Sequence, residues 1–261
     1  MDDPRTRLKT MAATLLPALK EVRRRREPAG SCYAVPVRSA DSVNIDCRLV
    51  AGDPRKVVVV AHPAVVGSRY VQVTALADEL ANSFSVMLFD FRGHGHSGGK
   101  CRLGFSGPAL DLAAVIARAR ALGFEKVGVA GFSMGAGAAF ICASEGIPID
   151  SFVSIGCPPS FPDMELWKRH SGVSQAAMRL LGLRLDPRLD EGPAPIEVVN
   201  TLGDFPKLLI WGEYEVAAPE DIERFKEAVP GPKNTLTVEG AWHADLKGNE
   251  ALIREWFEQT M

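Results

Sequence analysis

Gly131, Phe132, Ser133, Met134 and Gly135 form the pattern G-x-S-x-G. They follow the apolar run Val127 to Ala130 and precede the small-residue run Ala136 to Phe140, a context that predicts strand, sharp turn and helix with the serine at the apex. Such a turn needs glycine two positions either side of the serine, because the backbone is strained and packs too closely for a Cβ. The hydroxyl is then pushed out above the sheet. The helix that starts behind it aims backbone N–H groups and its positive dipole end at any oxygen that becomes negative. Nucleophilic attack on a carbonyl is the chemistry this implies. The pattern alone is common enough to arise by chance, so its meaning depends on a base and an acid in suitable places.

Five histidines compete for the base. His243 lies in the segment Gly240 to Asp245, after the last expected strand and before the final helix, and is the best placed. His94 and His96 sit in the Gly-rich loop Phe91 to Gly99 and read as residues that order that loop by hydrogen bonding. His62 follows the run Val57 to Ala61 and reads as shaping the next loop, while His170 reads as solvated. For the acid, the chain after Trp211 runs Gly212, Glu213, Tyr214, Glu215, Val216, Ala217, Ala218, Pro219. Glu215 is preferred because, three residues beyond the glycine, the chain is already turning back over the sheet. Glu213 stays as the competitor. The acid would hold the imidazole in the right tautomer and stabilise its protonated form.

The elements that must position these residues are legible as alternating runs. Tyr33 to Val37 and Val43 to Leu49 read as an antiparallel edge pair joined by a polar turn at Ser39 to Ser42. Val57 to Ala61 and Val86 to Phe89 are continuous apolar runs of the kind buried on both faces, with a helix over Tyr70 to Ala81 between them. A helix over Ala109 to Leu122, opening near Pro108 and stopping at Gly123, precedes the strand Val127 to Ala130. Phe152 to Ile155, Leu208 to Trp211 and Leu236 to Val238 complete the expected strands. Strands alternating with helices predict a mostly parallel sheet covered on both faces. Residues 157–206 break the rhythm with Pro158, Pro159, Pro162, Pro187, Pro193 and Pro195 among short amphipathic pieces, and read as a helical cap over the ligand-binding end of the sheet.

With these residues in place the chain resembles the α/β-hydrolase superfamily from about residue 31 onward. His62, Pro63, Ala64 with Gly67, Ser68, Arg69, Tyr70 is similar to a segment of monoacylglycerol-lipase-like and serine-aminopeptidase-like members, and Asp90 to Ser97 is similar to their D-x-R-G-H-G-x-S loop. Gly131 to Gly135 matches the nucleophile turn and Gly212 to Pro219 resembles the acid loop. The chain order Ser133, Glu215, His243 is the one the superfamily uses. The resemblance implies an α/β-hydrolase fold with a mostly parallel eight-stranded sheet. It implies a core of residues 31–156 and 207–261, a cap at 157–206, and oxyanion donors at the backbone N–H groups of Ala64 and Met134. Two departures stand out. Pro63 replaces the usual glycine and removes an N–H, and Glu215 replaces the usual aspartate.

The expected activity is ester hydrolysis through an acyl-enzyme, on small or medium apolar acyl esters. Thioesterase, lipase and peptidase are the alternatives of the same fold, and a catalytically inactive ligand-binding protein is the alternative of another class. No metal or organic cofactor is expected. Phe161, Met164 and Trp167, in the cap, are the candidate substrate contacts, among apolar residues that also include Leu166, Met178, Leu180, Leu181 and Leu183. The remaining composition narrows the setting. The 261 residues are 46% hydrophobic with a formal net charge of −2, which argues against a nucleic-acid partner. Five cysteines without a C-x-x-C pair argue against a zinc site or a disulfide framework and favour a reducing cytoplasm. Residues 1–30 read as an amphipathic helical extension, in which the apolar stretch Leu8 to Leu19 precedes the basic run Arg23 to Arg26. Packing on the domain is preferred there over contact with an anionic membrane surface.

Overall fold

The run Val57 to Ala61 is fully buried, and its side chains alternate between two separate cores. Val57, Val59 and Ala61 face one and Val58 and Val60 the other, the period-2 geometry of a strand covered on both sides. In the computed structural model, which describes residues 25–160 and 183–261, this run lies in the middle of an eight-stranded sheet. The strands stand in the order β1 (Cys32–Arg38), β2 (Asn44–Val50), β4 (Ser85–Phe89), β3 (Lys56–Ala61), β6 (Lys126–Phe132), β7 (Ser151–Ile155), β9 (Lys207–Tyr214) and β10 (Lys233–Trp242). β1 and β2 form an antiparallel edge with Cys32 opposite Val50, β2 meets β4 antiparallel, and every other pairing is parallel.

Helices α1 (Val71–Leu80) and α6 (Glu250–Thr260) cover one face, through Val73, Leu76, Ala77, Leu80, Ile253 and Phe257. The other face carries α2 (Ser106–Ala121), α3 (Met134–Ser144) and α5 (Pro219–Ala228). α3 is buried at every position from Met134 to Ala143, as its apolar, small-residue composition demands. A one-turn helix α4 (Pro195–Val198) follows in the stretch after residue 183.

Two features depart from the sequence reading. α2 opens at Ser106, earlier than Ala109, because Asp190 accepts hydrogen bonds from the Ser106 and Gly107 N–H groups at 2.8 and 3.4 Å and so supplies the cap that no local residue provides. A second, two-stranded parallel sheet joins β5 (Cys101–Leu103) to β8 (Leu185–Leu189). It ties the chain after residue 183 to the Gly-rich loop, where Cys101 N–H donates to the Arg184 carbonyl and Arg184 N–H to the Gly93 carbonyl, both at 2.8 Å. The apolar stretch Leu8 to Leu19, the basic residues Arg23 and Arg24, His170, and the candidate substrate contacts Phe161, Met164 and Trp167 lie outside the described residues.

Candidate active site

The chain leaves β6 at Phe132 and enters α3 at Met134, so the whole reversal falls on Ser133. Ser133 has φ 48° and ψ −108°, a conformation that a side-chain-bearing residue adopts only when its surroundings impose it. The glycines explain how. A Cβ on Gly131 would lie 2.6 Å from the Ala136 nitrogen, and one on Gly135 would lie 2.4 Å from the Ala61 carbonyl oxygen. The turn is pinned on both sides, with Ser133 N–H donating to the Ile155 carbonyl at 2.8 Å and Gly137 N–H to the Ser133 carbonyl at 3.0 Å.

His243 and Glu215 converge on this serine from the ends of the neighbouring strands. The Ser133 Oγ to His243 Nε2 distance is 2.8 Å, and His243 Nδ1 is hydrogen-bonded to Glu215 Oε2. An ionised carboxylate only accepts, so Nδ1 carries the proton and Nε2 offers its lone pair to the serine hydroxyl. The glutamate is fixed in turn, because its Oε1 accepts the Gly212 N–H at 3.0 Å. β10 packs directly on Gly212, where a Cβ would lie 2.6 Å from the Ala241 and Trp242 carbonyl oxygens. Glu213 turns away. Its Oε2 accepts the Gly240 N–H at 2.8 Å, and the residue is exposed.

Facing the serine turn is the loop between β3 and α1. Ala64 is half-buried there, and Val65 beside it has φ 73°. Met134 opens α3, so its N–H belongs to the first turn, whose donors have no partner within the helix. The loop is held by its histidine and by Asp90. His62 is fully buried, accepts the Phe91 N–H at Nε2 (2.9 Å) and donates from Nδ1 to the Pro63 carbonyl (2.7 Å), and its burial pushes the imidazole pKa down. Asp90 Oδ1 takes both Ser68 N–H and Ser68 Oγ–H at 2.8 Å, and its Oδ2 takes the His96 N–H at 3.1 Å. Burial works against that charge, yet His62 and the Ser68 and His96 hydrogen bonds hold the carboxyl down at about 2.

A sequence profile of the α/β hydrolase fold matches residues 57–179. Among solved structures, an esterase from Pyrococcus furiosus is similar at TM-score 0.73 and 21% identity, over 89% of this chain and 92% of that one. An esterase from Thermogutta terrifontis, solved with malate bound, is similar at TM-score 0.70 and 17% identity, over 87% of this chain and 99% of that one. A serine hydrolase without a lid from Xanthomonas campestris is similar at TM-score 0.62 and 18% identity, over 89% and 96%. The chain has the α/β-hydrolase fold. No curated protein matches the chain.

The other histidines stand apart from the serine. His94 is buried, donates from Nδ1 to the Arg92 carbonyl at 3.0 Å, and packs against His62 with ring centroids 4.9 Å apart. Burial, with the neighbouring His62, pushes its pKa down to about 3. His96 is exposed. Sequence reasoning missed the clamp on this loop. Arg92 is bidentate to Asp41 (2.6 and 2.9 Å) and reaches Asp111 at 2.8 Å, a pairing of positions far apart in the chain. All five cysteines are free, with only Cys32 exposed. Among the described residues no group of three His, Cys, Asp or Glu side chains is arranged to hold a metal, and no helix is long and apolar enough to cross a membrane.

Proposed function

We propose that the protein is a serine esterase that hydrolyses carboxylic esters with apolar acyl or alcohol groups. The observation that carries this reading is the unbroken hydrogen-bonded series Ser133 Oγ, His243 Nε2, His243 Nδ1, Glu215 Oε2, set at the apex of a strained strand-to-helix turn. His243 takes the proton as Ser133 Oγ attacks the ester carbonyl, and Glu215 stabilises the imidazolium. The Ala64 and Met134 N–H groups receive the oxyanion, in a place where each donor is worth about 2.7 to 4 kcal/mol of transition-state stabilisation. The imidazolium then protonates the alcohol, which leaves. Water, activated by the same histidine, releases the acid and restores the serine.

The two esterases among the structural neighbours support the choice of ester over other acyl substrates. Phe161, Met164 and Trp167 are the proposed walls for the apolar group. Four buried free thiols fit the reducing cytoplasm in which we place the protein.

A fluorophosphonate probe tests the nucleophile: wild type is labelled and Ser133→Ala is not. A folded wild type that resists the probe would favour the inactive ligand-binding alternative. A panel of p-nitrophenyl esters, acyl thioesters and aminoacyl amides then tests the leaving group through kcat/KM. The esterase reading requires the esters to lead; faster thioesters or amides would reassign the enzyme to the thioesterases or peptidases, and a preference for long acyl chains to the lipases.

A further inference from the structure

The reaction above makes no use of residues 25–30, which precede the first strand of the sheet. They nevertheless run as a strap along the loop that carries Ala64. Arg25 pairs with Tyr70 in an isolated antiparallel bridge, and Arg26 N–H donates to the Arg69 carbonyl at 3.0 Å. Asp78 of α1 accepts from the Arg26 guanidinium at 2.5 Å and from the Ala29 N–H at 2.7 Å. Strap and loop share a cavity of about 30 Å³ lined by Arg25, Val65, Arg69 and His94.

Glu27 is the junction. Its Oε1 accepts from Arg69 Nε and its Oε2 from Arg48 Nη1, both at 2.5 Å. Arg48 comes from β2 with its side chain only 9% exposed, and among the described residues Glu27 is its sole carboxylate partner. A buried guanidinium that loses its counter-charge is strongly unfavourable, so Arg48 depends on Glu27. Arg48 also donates from Nη2 to Ser68 Oγ at 2.8 Å, and Ser68 in turn donates to Asp90. A continuous series therefore runs from the strap, through Arg48 and Ser68, into the loop four residues beyond Ala64. That loop needs outside support. Val65 is a β-branched residue in the left-handed region, a conformation that persists only where the surroundings fix it.

We infer that Glu27 is a positioning residue for the oxyanion side of the site, holding Arg48 and Arg69 so that the strained Ala64–Ser68 stretch keeps the Ala64 N–H on the reacting carbonyl. The inference rests on the reading of Ala64 as an oxyanion donor. A carboxylate serves two guanidinium groups because both oxygens accept; an amide accepts with one and turns an NH₂ toward the other. Glu27→Gln therefore releases one arginine while keeping the side chain's shape. A donor that drifts off the oxyanion weakens the transition state more than the bound ester, so the loss falls on kcat.

The test uses the full chain and p-nitrophenyl acetate, with a reversible alkyl trifluoromethyl ketone whose serine adduct places an oxyanion in the same donors. Glu27→Gln is expected to lower kcat roughly 10-fold, as small misplacements of catalytic groups do. KM stays within about twofold, and the ketone inhibition constant rises in proportion to the loss of kcat. Glu27→Asp, which keeps both acceptors, recovers part of each. Arg120→Ala breaks an ion pair with Asp150 at the opposite end of the sheet and serves as the stability control, lowering the melting temperature without moving kcat. Wild-type kcat and ketone affinity in Glu27→Gln would overturn the inference, as would a loss of kcat with no change in ketone binding. Ser133→Ala separates the two levels. If it is inactive while Glu27→Gln behaves as wild type, the strap inference fails alone; if it keeps turnover, the underlying esterase reading fails with it.

Discussion

The two sides of this site are held by different physics. The serine turn is fixed by steric exclusion, with Gly131 and Gly135 packed against backbone atoms and no charged group in the turn itself. The facing loop is fixed by charge, through Asp90, Arg48, Arg69 and Glu27. Steric fixation is insensitive to pH and salt but tolerates almost no change of residue. Fixation by ion pairs whose outer carboxylate, Glu27, is exposed answers to the solvent. On the proposed reading, which puts the nucleophile on the first and an oxyanion donor on the second, the attacking atom is the more rigid partner.

The most severe break of this comparison is Ser133→Ala, which removes the proposed nucleophile and leaves both supports intact. Ester turnover is expected to fall roughly 10⁴-fold or more, with the melting temperature unchanged or raised, because among the described residues the only hydrogen bond alanine removes is the one to His243. Glu215→Gln comes next. An amide can hold His243 Nδ1 only by presenting its oxygen and cannot stabilise the imidazolium, so kcat is expected to drop on the order of 10³-fold. Glu213→Gln, measured beside it, should stay close to wild type, since among the described residues Glu213 meets only the Gly240 N–H and its own neighbour Tyr214. Equal losses in the two variants would remove the acid assignment.

Gly135→Ala probes the steric side directly. The added methyl would lie 2.4 Å from the Ala61 carbonyl oxygen, a backbone atom that cannot swing away. Overpacking of this kind costs about 1–3 kcal/mol, read as a lowered denaturation midpoint at unchanged m. Turnover should fall with it, because relief requires α3 to move away from β3 and to carry Ser133 along.

What the sequence made legible follows the same division. Ser133, His243 and the competing Glu213 and Glu215 stand in short segments whose neighbours announce a strand end, a glycine and a turn, so local pattern was enough to nominate them, with Glu215 preferred. The strands were equally local, as in the alternation of Val57 to Ala61 between two cores. Glu27, Asp190 and the Asp41–Arg92–Asp111 cluster gave no such signal. Asp190 caps a helix that begins 84 residues earlier, and Arg48 meets Glu27 across 21 positions; nothing near either acid marks its partner. Charged side chains scattered on turns look solvated until the chain is folded. The sheet strand β5 was hidden for another reason, since three residues are too few to show a period.

The mildest and sharpest test of the charged side is pH. His94 is buried in the adjoining Gly-rich loop with its ring packed on His62 of the charged side, and burial followed by the neighbouring His62 lowers its pKa to about 3 from the ordinary 6.5. The native state keeps it neutral while the unfolded chain binds a proton, so stability is complete above pH 6.5 and declines as pH falls toward 3. His62, lowered by the same burial, adds in the same direction. Asp90 acts later. Its carboxyl is held at about 2, so its contribution is complete above 3.8 and is lost only as pH falls from there through 2. Melting temperature measured from pH 8 to 3.5 should therefore bend downward near 6.5, at no more than about 1.4 kcal/mol per pH unit for each histidine. His94→Gln should flatten that upper arm, because it removes one of the two titrating histidines packed together on the charged side and none from the serine turn. A profile that stays level from pH 6.5 to 4 in wild type would mean that His94 and His62 titrate in the folded protein as they do in the unfolded chain, and that the loop facing Ser133 opens to water.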